Sequence, residues 1–150
     1  MEKDGLYMFE DRMVGQRCLS IKRRENDWLF EFSGGSLIAL NVPWRIVCKG
    51  RILFVDEDDG QLFGNSEPVD GELVANNSLG GQSIAKAALA RETGDLALHF
   101  SDNLRLDAFN NSSGYEGWTA TCNFDGVLFD FVALGGGEIM IKKSTHGFFC

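Results

Sequence analysis

The chain has 150 residues, 44% of them hydrophobic, with 12 Phe, 18 Gly, two Pro and a net charge of −8. This composition folds, and the length suits one domain with a substantial core, which excludes a disordered chain. No apolar run approaches the ~20 residues a membrane-spanning helix needs, and the acidic balance disfavours nucleic acid as a partner.

The opening stretch, MEKDGLYMFEDRMVG, is charged and lacks the apolar centre of a secretory signal, so a cytoplasmic protein is expected. From Arg17 to Arg23, Leu19 and Ile21 alternate with polar neighbours, the pattern of a half-buried strand. After a turn at Glu25-Asn26, DWLFEF sets Trp28, Phe30 and Phe32 on one face. Ser33-Gly34-Gly35-Ser36 fits a hairpin turn, because Gly tolerates the positive φ that such turns need. LIALNV returns and stops at Pro43, which has no N–H to give a ladder. WRIVC and RILFV flank a second hairpin signal, Lys49-Gly50. The first half therefore reads as a five-strand meander.

Residues 56–80 break the alternation and read as an acidic linker with a short helical turn around Glu72–Ala75. Asp56, Glu57, Asp58 and Asp59 look at first like a calcium loop. Such a loop needs Gly at position six and Glu at twelve, and counting from Asp56 these fall on Gln61 and Glu67. No metal is expected there. In Gln82–Arg91 the residue types favour helix, whereas the repeat described next favours strand. LALHF, LRLDAF, WTATC, VLFDFVAL and EIMIKK complete the strands, and the tail STHGFFC follows.

The halves share ordered landmarks. Gly15-Gln16 corresponds to Gly81-Gln82, Phe32-Ser33 to Phe100-Ser101, and Trp44-x-x-x-Cys48 to Trp118-x-x-x-Cys122. The expected fold is thus an all-β, mainly antiparallel single domain over 1–150. Two duplicated meanders, at about 15–55 and 81–134, form a sandwich or partly open barrel with at most one short helix. Phe32 to Trp44 is 12 positions and Phe100 to Trp118 is 18, and the extra six lie in NNSSGYEG. A loop added to a rigid sheet, carrying Tyr115 and Glu116 beside Trp118, is the expected binding surface. The opposing expectation is that Tyr115 and Trp118 cap the core while Glu116 pairs with Arg105.

The pattern LxF–turn–LxL, SSGYEGW and a strand ending in GGGE resembles a bacterial family of small domains of unknown function. Some of these are similar to immunity proteins encoded beside polymorphic toxins. The resemblance implies a non-enzymatic protein that binds a toxin and brings no catalytic residues.

Enzymatic signals are sparse. His99 alternates with buried positions and His146 lies in the tail; GxSxG, P-loop and GxGxxG patterns are absent. Gly135-Gly136-Gly137 lacks the helix and Lys that cradle phosphate. Asp107 and Glu116 form one conceivable carboxylate pair among 22 acids, which is no signal. Cys18, Cys48, Cys122 and Cys150 are too dispersed for a zinc knuckle, and the first three read as small buried hydrophobes. Neither catalysis nor a cofactor is expected.

Charge is uneven: net +2 over residues 1–51, then −5 over 52–91 and −5 over 92–150. The acidic part favours a basic partner, and together with the resemblance this gives the expectation of a protein that blocks a basic toxin domain, such as a nuclease. Asp56, Glu57, Asp58, Asp59, Glu67 and Asp70 would steer the partner, and Tyr115, Glu116 and Trp118 would anchor it. The rival expectations are a barrel binding a small apolar ligand among Trp28, Phe30, Phe32, Trp44 and Trp118, and a minor hydrolase using His99.

Overall fold

The computed structural model describes residues 2–144; the tail from residue 145, with His146 and Cys150, lies outside them. The described residues form eleven strands: β1 (Cys18–Arg23), β2 (Trp28–Phe32), β3 (Leu37–Leu40), β4 (Trp44–Cys48), β5 (Arg51–Val55), β6 (Lys86–Leu89), β7 (Leu96–His99), β8 (Leu104–Ala108), β9 (Thr119–Phe124), β10 (Val127–Ala133) and β11 (Ile139–Lys143). They form a six-stranded sheet ordered β1-β2-β3-β9-β10-β11 and a five-stranded sheet ordered β5-β4-β8-β7-β6. All pairings are antiparallel. The sheets do not close into a barrel; the fold is a β-sandwich, with Trp28, Phe30, Trp44 and Phe54 packed edge-on or tilted at its centre.

The first half is not one meander. At Asn41-Val42-Pro43 the chain leaves β3 and crosses to the other sheet, where β4 pairs with β8. The second half does the reverse, since β6-β7-β8 lie in the five-stranded sheet and β9 crosses to pair with β3. The two crossings share one register. Ala39 stands opposite Thr119, and Asp107 opposite Arg45, positions that the Phe32/Phe100 and Trp44/Trp118 landmarks make equivalent. Each half thus donates strands to both sheets.

Two helices precede these strand sets where the sequence allowed at most one. α1 (Glu2–Met13) comes before β1, and α2 (Gly71–Leu79), longer than the short turn expected at Glu72–Ala75, comes before β6. α1 lies against β6 and α2 against β1, so each helix covers a strand of the opposite half. Phe9 and Met13 are buried from α1, as are Ala75 and Leu79 from α2 at the matching places before Gly15-Gln16 and Gly81-Gln82. Asp70 caps α2, its carboxylate accepting from the Leu73 N–H at 3.2 Å. Gly71 allows a close approach, because a Cβ there would stand 2.8 Å from Phe54 and 2.9 Å from Trp28. Where the halves meet, the hydrogen bonds are reciprocal. Gly15 N–H donates to Ile84 C=O and Gly81 N–H to Cys18 C=O; Cys18 N–H donates to Gln82 C=O and Ile84 N–H to Gln16 C=O. Residues 82–91 accordingly contain strand β6, as the repeat required and against their helix-forming composition.

The helices also satisfy the edges they cover. Asn76 bonds both the N–H and the C=O of Ile21, and Glu72 accepts from the Arg23 N–H at 2.7 Å. On the other side Glu10 accepts from the Leu89 N–H at 2.7 Å and grips Arg91 at 2.7 and 3.0 Å. Burial raises the Glu10 carboxyl, but the Arg91 and Leu89 hydrogen bonds outweigh it and hold the group below its ordinary value. A depressed carboxylate adds stability above its unfolded pKa and loses it as pH falls through the folded one. Glu10→Ala is therefore expected to cost about 1–3 kcal/mol at neutral pH and progressively less in acid below the ordinary carboxylate range. Urea unfolding of both proteins across pH measures this.

Burial pushes the Cys18 thiol up to about 12 and the Cys122 thiol to about 11. Both are core groups and unreactive as thiolates.

Candidate functional site

The acidic segment is a folded element. Residues 56–58 form a 3-10 turn at the end of β5. The Asp56 carboxylate accepts from the Trp44 N–H at 3.3 Å, Asp58 from the Val55 N–H at 3.0 Å, and Asp59 from the Gly71 N–H at 2.8 Å. Three of the four acids thus hold the turn, β4 and the start of α2 in place. Charge and architecture use the same carboxylates here. Glu57 alone of the four is exposed, and Glu67 and Asp70 are exposed beyond it.

Asp56, Glu57 and Asp59 line an open groove of about 580 Å³ at one end of the sandwich. Its other walls include Asp27 and Arg23 from either side of the β1–β2 turn, Trp28, and Asn111 from the long β8–β9 connection. Asp56 is held above the ordinary aspartate value by burial, with Trp44 N–H opposing and the Glu57 charge adding to the rise. Arg23 lies 5.3 Å over the Trp28 ring and 3.7 Å from Asp59, so a guanidinium is already accepted at this rim. Such a groove is suited to cationic side chains. Among the described residues no group of three or more His, Cys, Asp or Glu is placed to hold a metal ion.

The expected aromatic patch divides. Tyr115 is 83% exposed and Glu116 is exposed, whereas Trp118 is 0% exposed. Trp118 packs 6.2 Å from Phe9, and its indole N–H donates to Gly94 C=O at 2.8 Å. It belongs to the core and offers no surface to a partner, which corrects its assignment to the binding patch. Arg105 pairs with Asp107 at 2.8 Å, not with Glu116. The Ser112 hydroxyl accepts from the Gly114 and Tyr115 N–H groups and shapes the loop tip. The glycines of SSGYEGW and GGGE meet backbone to backbone, since a Cβ on Gly135 would stand 2.5 Å from the carbonyl carbon of Gly114. Asn110 ties this end together, donating to Thr93 C=O at 3.0 Å and Leu134 C=O at 2.9 Å.

Sequence reasoning missed two contributors. Asp27, read only as the first residue of the DWLFEF strand, adds a carboxylate to the groove, where it is already paired with Arg24 at 2.7 Å. Leu62 and Phe63 project from the loop that the Gly60–Val69 and Val69–Gln61 backbone bonds close at its base; Phe63 is 65% exposed and sits at φ 49°. An apolar pair between two glycines in an otherwise polar segment was the available signal.

His99 lies on the outer face of the five-stranded sheet, opposite Lys86 and Arg105. Burial and those two cations hold its pKa below the ordinary value. Among the described residues no helix is long and apolar enough to cross a membrane. Compared with known protein families, with curated proteins and with solved structures, the chain matches none.

Proposed function

We propose that the protein is a non-enzymatic cytoplasmic binding protein that captures a basic partner, in its sharpest form an immunity protein that blocks a toxin domain such as a nuclease. The observation that carries this reading is the groove lined by Asp27, Asp56, Glu57 and Asp59, whose size and charge suit Arg or Lys side chains. Residues that grip phosphate on a nuclease would be occupied by these carboxylates and lost to substrate. Glu67, Asp70, Glu116 and Tyr115 would extend the contact at the rim, and Phe63 would add an apolar anchor. The small-ligand alternative has less support, because the aromatic side chains it needs pack against one another within the sandwich.

The test asks whether the neighbouring reading frame encodes a secreted protein with a basic C-terminal domain, and takes that domain as the partner. Co-expression should protect cells from that domain, and the purified pair should associate rapidly at low salt. Asp58 and Asp59 are poor positions for charge reversal because they cap backbone N–H groups. Glu57→Lys with Glu67→Lys is expected to slow association about tenfold or more and flatten its salt dependence, with the fold intact. Unchanged on-rates would remove the electrostatic part of the reading, and absence of a complex would remove the reading itself.

A further inference from the structure

Each sheet has two end strands, and the four are treated differently. The edge of β1 is bonded by Asn76 and Glu72 of α2, and that of β6 by Glu10 of α1. β11 ends in exposed Lys142 and Lys143, charges that discourage strand pairing. β5 is covered less: among the described residues the Asp58 carboxylate takes the Val55 N–H at one end and exposed Arg51 stands at the other, with Ile52 and Leu53 between them. In the second half the corresponding strand, β10, has β11 against its outer side, whereas among the described residues no strand lies on that side of β5. Ile52 is 59% exposed and Leu53 49%, an apolar pair on an edge where natural sheets place charge or proline. A bulge sets Ile46 opposite Phe54 and Val47 opposite Ile52, leaving Leu53 without a partner on β4.

The sequence around this edge is complementary to itself. An antiparallel two-fold pairing centred on Leu53 places Ile52 opposite Phe54 of a second copy and Arg51 opposite Val55. It also brings Lys49 toward Asp56 and Glu57 of that copy, twice by symmetry. We propose that β5 pairs with β5 of a second copy, joining the two five-stranded sheets into one and filling the place that β11 fills beside β10. The favourable terms are burial of Ile52 and Leu53, opposite charges at both ends of the pairing, and ladder bonds from the β5 groups that Asp58 does not already satisfy.

Sedimentation of the whole chain over a wide concentration range, with hydrogen exchange at β5, tests this. The wild-type mass should rise toward twice the monomer as protein is added, with β5 amides gaining protection in parallel. Leu53→Lys should stay at monomer mass with unchanged thermal unfolding, as Leu53 is half exposed. Lys49→Glu and Glu57→Lys should each weaken self-association about tenfold or more, and the double variant should restore it. A wild-type chain that stays monomeric throughout, a dimer that survives Leu53→Lys, or a double variant no better than the single ones would overturn the proposal.

Discussion

Trp118→Ala is expected to destabilise the fold by about 3–5 kcal/mol, while Tyr115→Ala, three residues earlier, should leave stability within about 0.5 kcal/mol. The contrast follows from position alone. Trp118 fills core space against Phe9 and gives its indole proton to Gly94 C=O, so truncation opens a large cavity and leaves a buried carbonyl unpaired. Tyr115 stands in solvent on a loop whose shape is set by Ser112 and by the Gly114–Gly135 contact. Urea unfolding of the two variants separates a core residue from a surface one. If the partner proposal holds, Tyr115→Ala should weaken binding with stability unchanged. Equal loss of stability in both would mean that the loop is part of the core.

Separating the halves should remove essentially all stability, roughly 5–15 kcal/mol for a domain of this kind. Fragments ending and beginning at the exposed loop between Leu62 and Pro68 are each expected to lack cooperative unfolding, and to regain the native circular dichroism when mixed. The reason is the exchange of elements. Residues 1–64 supply three strands to one sheet, two to the other, and helix α1, which covers β6 of the opposite fragment. Alone, each fragment exposes one face of every strand it holds, together with the β3 or β8 edge. The reciprocal bonds between Gly15–Cys18 and Gly81–Ile84 are also lost. A fragment that unfolds cooperatively by itself would show that each half is a self-contained meander, the arrangement its alternation suggests.

That difference marks how far the strand pattern could be read. Alternation located ten of the eleven strands, since the burial pattern is a local property of each segment, whereas for β6 the helix-forming residue types opposed the strand that only the repeat favoured. Turn residues at Gly34-Gly35 and Lys49-Gly50 marked hairpins for the same reason. α1 escaped notice because its buried stripe is narrow, Phe9 and Met13 in a run of charges. The acidic run Asp56–Asp59 was legible as charge but not as caps, because the Trp44, Val55 and Gly71 N–H groups that three of its carboxylates accept from become neighbours only on folding.

By itself, then, the sequence determined ten of the eleven strands, their turns, the corresponding landmarks of the two halves and the six-residue excess in the β8–β9 loop. All of these follow from short-range sterics and from which side chains prefer burial. Only the tertiary structure decided that the halves exchange strands and helices, that Trp118 belongs to the core while Tyr115 does not, and that Asp27 joins Asp56, Glu57 and Asp59 around one groove. Those outcomes depend on which edges meet in space. Alternation of apolar residues is the same whether β3 pairs with β4 or with β9, so the choice is made by packing between segments far apart in the chain.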